Sequence, residues 1–307
     1  MKSLFITGAS GFLGSQVLKQ IEAEKYKRIV LVSRSRPVLP SHLVNADNIS
    51  IVSASIEETE KYISLLDANT HILHLAALTG KANPADYFKI NTDGTHALIK
   101  AAETTQVSGF VFVSSIAVAF TNRRGYAYAE SKERAEKLLS DSALRYCIVR
   151  PTIILGDDSP IWHSFYKLAQ SSIIILPGSG KVNIQPIDVD DMVDVLFEIF
   201  DKEYFNNEVL EVGGPDILSI NDFVIKIHNA CKDKAPRIFH LPLGFIVGLL
   251  RLIEKFAPSL LPVNSGQFSS FCNDGTAAEN KLTKARSNMK TIDVILDRLT
   301  RNDNVSK

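Results

Sequence analysis

Three side chains near the middle of the chain have the types and spacing for proton transfer. The apolar run Phe110-Val111-Phe112-Val113 ends in Ser114-Ser115, Tyr128 follows, and Lys132 comes four residues after Tyr128. The stretch Glu130 to Glu136 favours a helix, so Tyr128 and Lys132 share one helical face. A phenol near pKa 10 must come down by about three units, roughly 4 kcal/mol, to exchange a proton at neutral pH. A neighbouring ammonium favours the phenolate. A serine hydroxyl can hold the oxygen that gains or loses the proton. Such a set serves hydride transfer at an oxygen-bearing carbon, with Tyr128 as acid and base, Lys132 as its activator and Ser115 as the hydrogen bond to the substrate oxygen. Ser114 is the alternative serine, and Tyr126 a weaker donor because its fourth neighbour is Glu130. The Tyr-to-Lys spacing alone says little; the order of strand, serine and Tyr-led helix carries the reading.

Hydride chemistry needs a carrier, and the first fourteen residues offer a seat for one. The strand-like Leu4-Phe5-Ile6 breaks into Thr7-Gly8-Ala9-Ser10-Gly11-Phe12-Leu13-Gly14, after which Val17, Leu18 and Ile21 return at helical spacing. Gly8 allows a tight turn, Gly11 a close approach of backbone to a pyrophosphate, and Gly14 close packing of helix on strand. Unpaired amides at the helix start favour an anion. Gly8, Ser10, Gly11, Phe12, Leu13 and Gly14 are therefore candidate dinucleotide contacts. A signal peptide does not fit, because the apolar run after Lys2 is short and ends in glycines.

The next strand, Ile29-Val30-Leu31-Val32, leads into Ser33-Arg34-Ser35-Arg36. A carboxylate there would bind the ribose diol of NAD. Two guanidiniums instead suit a 2′-phosphate, so Arg34 and Arg36 favour NADP(H) over NAD(H). The plainer reading is a solvated polar loop.

Further along, Ile49 to Val52 reads as a strand, Glu57 to Asp67 as a helix, and His71 to Ala77 as a strand ending in Ala76 and Ala77, small enough for backbone to lie against a cofactor. His74 reads as a buried strand-end histidine, and no companion ligand suggests a metal. Pro84 to Ala102 reads as a long helix with an irregularity near Gly94, Cys147 to Val149 as a strand before Arg150-Pro151, and Ile220 to Cys231 as a helix. Leu241 begins an apolar helix through Phe256, expected to bury as a lid or to lie on a lipid surface. Ser287 to Lys307 reads as a helix with a polar tail.

The chain of 307 residues balances 34 Lys and Arg against 34 Asp and Glu, so nothing supports nucleic-acid binding. Its 3 scattered cysteines fit a reducing, cytoplasmic setting. No apolar stretch reaches the roughly 20 residues of a spanning helix. Expected partners are a small, partly apolar substrate and, as open readings, a membrane surface and a second copy of the chain.

Thr7-Gly8-x-x-Gly11-x-x-Gly14, His74-Leu75-Ala76-Ala77, Asn91, the Ser115, Tyr128 and Lys132 set, Arg150-Pro151 with Gly156, and Val189-Asp190-Asp191 together resemble the short-chain dehydrogenase/reductase superfamily, in its extended or atypical, epimerase/dehydratase-like branch. The resemblance covers about residues 1 to 235. It implies an α/β fold: a Rossmann-type doubly wound parallel sheet with a smaller, mostly helical C-terminal substrate lobe. The dinucleotide domain would be 1–156 completed by 186–212, and the lobe 157–185 with 213–307. It also implies that Asn91 braces a water chain to Lys132, that Lys132 holds the ribose, and that Pro151 and Ile153 pass the nicotinamide. Ser55 stands where the branch has an aspartate beside the adenine. The implied activity is NADP(H)-dependent oxidoreduction, epimerisation or dehydration of an alcohol or carbonyl. The alternatives are a non-catalytic NADPH-binding accessory protein and a thioester reductase.

Overall fold

Strands of a parallel sheet covered by helices on both faces must be apolar on both sides. The segments β1 (Ser3–Thr7), β4 (Thr70–His74) and β5 (Gly109–Val113) are buried at every position, with apolar centres in all three and buried polar residues at Ser3, Thr7, Thr70, His71 and His74. The computed structural model describes residues 1–123, 125–232, 235–244, 246, 271–284 and 288–305. The chain divides into two compact units, one of Met1–Val118, Ala127–Arg150 and Val193–Leu210, the other of Ala119–Tyr126, Pro151–Met192 and Glu211–Lys307.

The first unit is built on a 7-stranded sheet. Its remaining strands are β2 (Arg28–Ser33), β3 (Ile49–Ser53), β6 (Tyr146–Pro151) and an edge strand, Glu208–Val212. Beginning at that edge, the order is β6-β5-β4-β1-β2-β3. The pairs from β3 to β6 are all parallel. The order reverses between β1 and β4, and ligands of open α/β sheets bind beyond the strand ends at such a point. Thr7 and His74, the last residues of β1 and β4, lie opposite each other there. One face packs Phe5, Ile72, Phe110, Phe112, Leu98 and Leu139 into a core.

Helices α1 (Phe12–Gln20), α2 (Pro84–Tyr87), α3 (Thr95–Thr104) and α4 (Ala127–Ser140) connect the strands. Between α2 and α3 the helix widens into a π-helical turn, Phe88–Gly94, so the irregularity read from the sequence is real. Gly94 meets a tight neighbour, since a Cβ there would lie 2.5 Å from Ile56 Cδ1.

The helix expected over Glu57 to Asp67 does not form. Two 3₁₀ turns, Thr59–Lys61 and Ile63–Leu65, stand in its place. Tyr62 breaks the run with φ −137° and ψ −9°. Its ring is buried against Phe5 at 5.2 Å, and its hydroxyl donates to the Ile56 carbonyl. Burying that tyrosine overrides local helix preference.

The second unit also takes Pro151–Gly156 and 186–192, which the sequence reading gave to the dinucleotide domain. Beyond the end of β6 the chain forms its own pair, Ile154–Leu155 with Ile187–Asp188. Trp162, Phe165, Ile174, Phe223 and Ile295 fill this unit's core. The helix at Ile220–Cys231 has the bounds read from sequence and is capped by Ser219, which accepts from Asp222 N. The acids after Pro186 are tied to the C-terminal residues of the same unit. Asp188, fully buried, pairs with Lys290 at 2.6 Å and Arg298 at 2.5 Å, and Asp191 accepts from Lys290 N. Arg237–Leu241 is a strand. Of the apolar helix read from Leu241 to Phe256, all beyond Ile246 lies outside the described residues. No described helix is long and apolar enough to cross a membrane.

Candidate active site

The glycine loop that follows β1 gives each glycine a different neighbour. Gly8 has φ +73°, and a Cβ on it would lie 2.6 Å from Ala76 N. A Cβ on Gly14 would lie 2.2 Å from Gly8 O. Gly11 is open by comparison: its Cβ would meet only Gly8 O at 3.3 Å. Gly11 begins α1 in extended conformation, with no side chain capping it. Phe12, Leu13 and Gly14 form the first turn of α1. Their backbone amides, with the helix dipole behind them, can take an anion at Gly11.

Gly8, Ser10, Gly11, Arg34, Ser55, Ala76 and Ala77 line one cleft of about 370 Å³. Ser35 donates to Ser10 across it at 3.0 Å. Arg36 lies elsewhere, in a neighbouring hollow with Leu39, Leu43 and Ile51. Glu57, Asp86 and Lys89 also line the cleft. Charged residues on turn and helix sequence carry no mark of the cleft, and only Asp86 and Lys89, one turn apart and near Asn91, hint at a shared face.

Farther along the strand ends, the side chains of Ser115 and Tyr128 are hydrogen-bonded. Ser115, and not the alternative Ser114, therefore meets the phenol. Ser114 Oγ is buried with no hydrogen-bond partner among the described residues. Tyr126 belongs to the second unit, as do Pro151 and Ile153. Lys132, one turn after Tyr128 on α4, is buried. Its Nζ donates to Val113 O at 2.7 Å and lies 4.1 Å from the centroid of Phe112. Burial pulls the Lys132 ammonium down to about 7, against the opposing pull of Glu136.

The phenol differs from the sequence expectation. Burial raises the Tyr128 hydroxyl above its usual range, and the Ser115 bond only partly opposes this. The Lys132 ammonium donates to the Val113 carbonyl.

Asn91 sits in the π-helical turn and fastens the loop after β4. Its Oδ1 accepts from Leu78 N at 2.7 Å, and its Nδ2 donates to Leu78 O at 3.1 Å and Ser131 Oγ at 3.0 Å. It thereby ties the segment after Ala77 to α4, one residue before Lys132. Behind α4, Arg150 holds Glu136 by two bonds of 2.9 and 2.6 Å.

Residues 4–213 match the profile of the NAD dependent epimerase/dehydratase family. The chain belongs to that family. Members are enzymes that use a nicotinamide dinucleotide, and this chain is an enzyme of the same oxidoreductase and epimerase type. A UDP-glucose 4-epimerase of Vibrio cholerae is 28% identical over 243 residues, covering 70% of this chain and 72% of that protein. The solved UDP-glucose 4-epimerase of Thermotoga maritima, with UDP-glucose, superposes with a TM-score of 0.68 at 17% identity, covering 99% of this chain and 100% of that one. The UDP-glucuronic acid 4-epimerase of Bacillus cereus, in complex with NAD, gives 0.64 at 19% identity over 78% of this chain and 87% of that one. These structural likenesses establish the Rossmann-type fold of this family member.

Proposed function

We propose that this family member binds NADP(H) in the cleft beyond β1 and β4 and transfers hydride at an alcohol or carbonyl carbon. The Ser115–Tyr128 hydrogen bond, with Lys132 buried one turn on, carries this reading. Gly8 and Gly11 fit a pyrophosphate, being respectively too tight and open enough for a Cβ. Arg34 takes the 2′-phosphate. Ala76 and Ala77 let the coenzyme lie close. When bound, the nicotinamide supplies the carbon that gives or receives hydride. Tyr128 gives its proton to the carbonyl oxygen in reduction and takes one from the alcohol in oxidation. Ser115 donates a hydrogen bond to the same oxygen. Lys132, when protonated, holds the ribose hydroxyls, and on leaving the Val113 carbonyl it also favours the phenolate of Tyr128.

The test is calorimetric titration with NADPH and NADH, followed by a panel of ketones, aldehydes and nucleotide sugars read at the cofactor absorbance. Turnover that vanishes in Tyr128→Phe while the cofactor still binds is the expected result. If no compound ever changes the cofactor's redox state and Tyr128→Phe equals wild type, a non-catalytic NADPH-binding protein replaces the reading. Activity confined to acyl-carrier thioesters would mark a thioester reductase.

A further inference from the structure

Thr7 and His74 close β1 and β4 at the point where the strand order reverses, and both are fully buried. Each hydrogen in the cluster around them can be assigned. The Thr95 hydroxyl donates to Asn91 O at 2.7 Å, which uses its single proton. Thr95 Oγ1 also lies 2.8 Å from His74 Nε2, so that nitrogen must carry the ring proton and donate. Burial pulls the imidazole down to about 3, with Lys132 adding to the effect, so the ring is neutral and Nδ1 is a bare acceptor. Thr7 Oγ1, 2.6 Å from Nδ1, donates to it and accepts from Ala76 N at 3.2 Å.

The result is one directed chain running from the Ala76 amide through Thr7, His74 and Thr95 to the Asn91 carbonyl. One end lies in the cleft and the other holds the loop that leaves it. Ala76 lines it beside Gly8, packed so closely that a Cβ on Gly8 would lie 2.6 Å from Ala76 N. Asn91 fastens Leu78, two residues past Ala76. The His74 ring also stacks on Phe112 at 5.3 Å, the ring over which Lys132 Nζ sits. A histidine serving only as core filler would need neither a fixed tautomer nor two hydroxyl partners.

We propose that His74 is a positioning residue for the dinucleotide: through Thr7 and Thr95 it fixes the backbone at Ala76 against Gly8 and so sets the floor on which the coenzyme rests. The proposal rests on the cofactor reading above, and it assigns a second task to a side chain that touches no ligand.

Two measurements test it, one without and one with coenzyme. In the ligand-free protein, amide exchange over residues 75–78 should speed up in Thr7→Val and in His74→Leu. In titrations with NADPH and NADH, each variant should bind about tenfold more weakly, as expected for loss of one hydrogen bond. The double variant should be no worse than the weaker single, because both break the same chain. His74→Asn, whose amide oxygen stands near the Nδ1 position, should recover most of the affinity. Thr7→Ser, which keeps the hydroxyl, controls for folding if His74→Leu does not fold. Folded variants that bind both dinucleotides as wild type does would overturn the proposal, as would losses that multiply in the double variant. Failure of the wild type itself to bind either dinucleotide would instead sink the cofactor reading, and this proposal with it.

Discussion

Arg34 and Arg36 are two positions apart at the end of β2, yet they line different hollows. Arg34 faces the cleft of Gly8 and Ser10, whereas Arg36 faces a hollow of about 520 Å³ with Leu43 and Ile51. Past the end of β2 the two side chains part, and Arg34 is the one guanidinium among the described residues that line the cleft. A charge-assisted hydrogen bond contributes about 1.5–3 kcal/mol, or roughly 10- to 150-fold in affinity. Arg34→Ala should therefore weaken NADPH by that factor and leave NADH nearly unchanged. Arg36→Ala should alter neither by more than about threefold. Equal NADPH and NADH affinity in the wild type would remove the NADP(H) preference altogether.

The Ser115–Tyr128 bond makes different predictions for two adjacent serines. Positioned acid–base groups contribute about 10²- to 10⁴-fold. Tyr128→Phe should lose kcat by that range while dinucleotide affinity stays within about threefold. Ser115→Ala should lose about 10- to 100-fold in kcat by the weaker loss of one hydrogen bond. Ser114→Ala removes a buried hydroxyl that has no partner among the described residues, so kcat should hold and stability should not fall. Steady-state rates and melting temperatures for the three variants check this; a larger kcat loss in Ser114→Ala than in Ser115→Ala would exchange their roles.

Much of this architecture was legible in the residues. Period-free apolar strands, the glycine turn and the Tyr128 helix announce a parallel α/β sheet because parallel strands are buried on both faces. The fate of Glu57 to Asp67 was not legible, since it depends on Tyr62 finding Phe5, a contact set by tertiary packing. Nor could the sequence reveal that Arg36 leaves the cleft while Glu57, Asp86 and Lys89 enter it. The ammonium of Lys132 was expected to face Tyr128, and spacing on a helix gave no hint of the competing Val113 carbonyl.

Gly11 and Gly14 should separate binding from folding. A methyl at Gly14 would meet Gly8 O at 2.2 Å and Ala9 Cα at 2.8 Å, both backbone, so neither can swing aside. Overpacking of this kind costs about 1–3 kcal/mol, and Gly14→Ala should lower the melting temperature. A methyl at Gly11 meets only one atom, at 3.3 Å, and projects from the loop that begins α1. Gly11→Ala should melt within a few degrees of wild type and bind the dinucleotide at least about tenfold more weakly, through loss of close backbone approach to the pyrophosphate. Calorimetry and thermal melts on the two proteins decide it. A Gly11→Ala protein with unchanged affinity would move the pyrophosphate off this loop.

Buried histidines in the sheet make stability depend on acid. Burial pulls His71 down to about 4, helped by Lys2, and pulls His74 down to about 3. In the unfolded chain both return to about 6.5. Between pH 6.5 and about 4 the unfolded state therefore binds two protons that the folded state does not. Stability rises with pH wherever the unfolded state holds more protons, so it must fall on acidification through this window, by about 2.7 kcal/mol per pH unit from the two groups together. Lys132 acts in the same sense at higher pH: its folded value of about 7 lies below the usual 10.5, so stability climbs from about pH 7 upward as the unfolded chain alone keeps that proton. His71 offers the clean test, because its ring stacks on Phe200 at 5.7 Å, lies tilted against Phe205 at 4.9 Å and takes no part in the cleft. His71→Leu should halve the histidine contribution to the slope, to about 1.4 kcal/mol per unit. Urea unfolding at a series of pH values between 4.5 and 6.5 measures it, and a His71→Leu slope equal to the wild-type slope would mean that His71 is already charged in the folded protein.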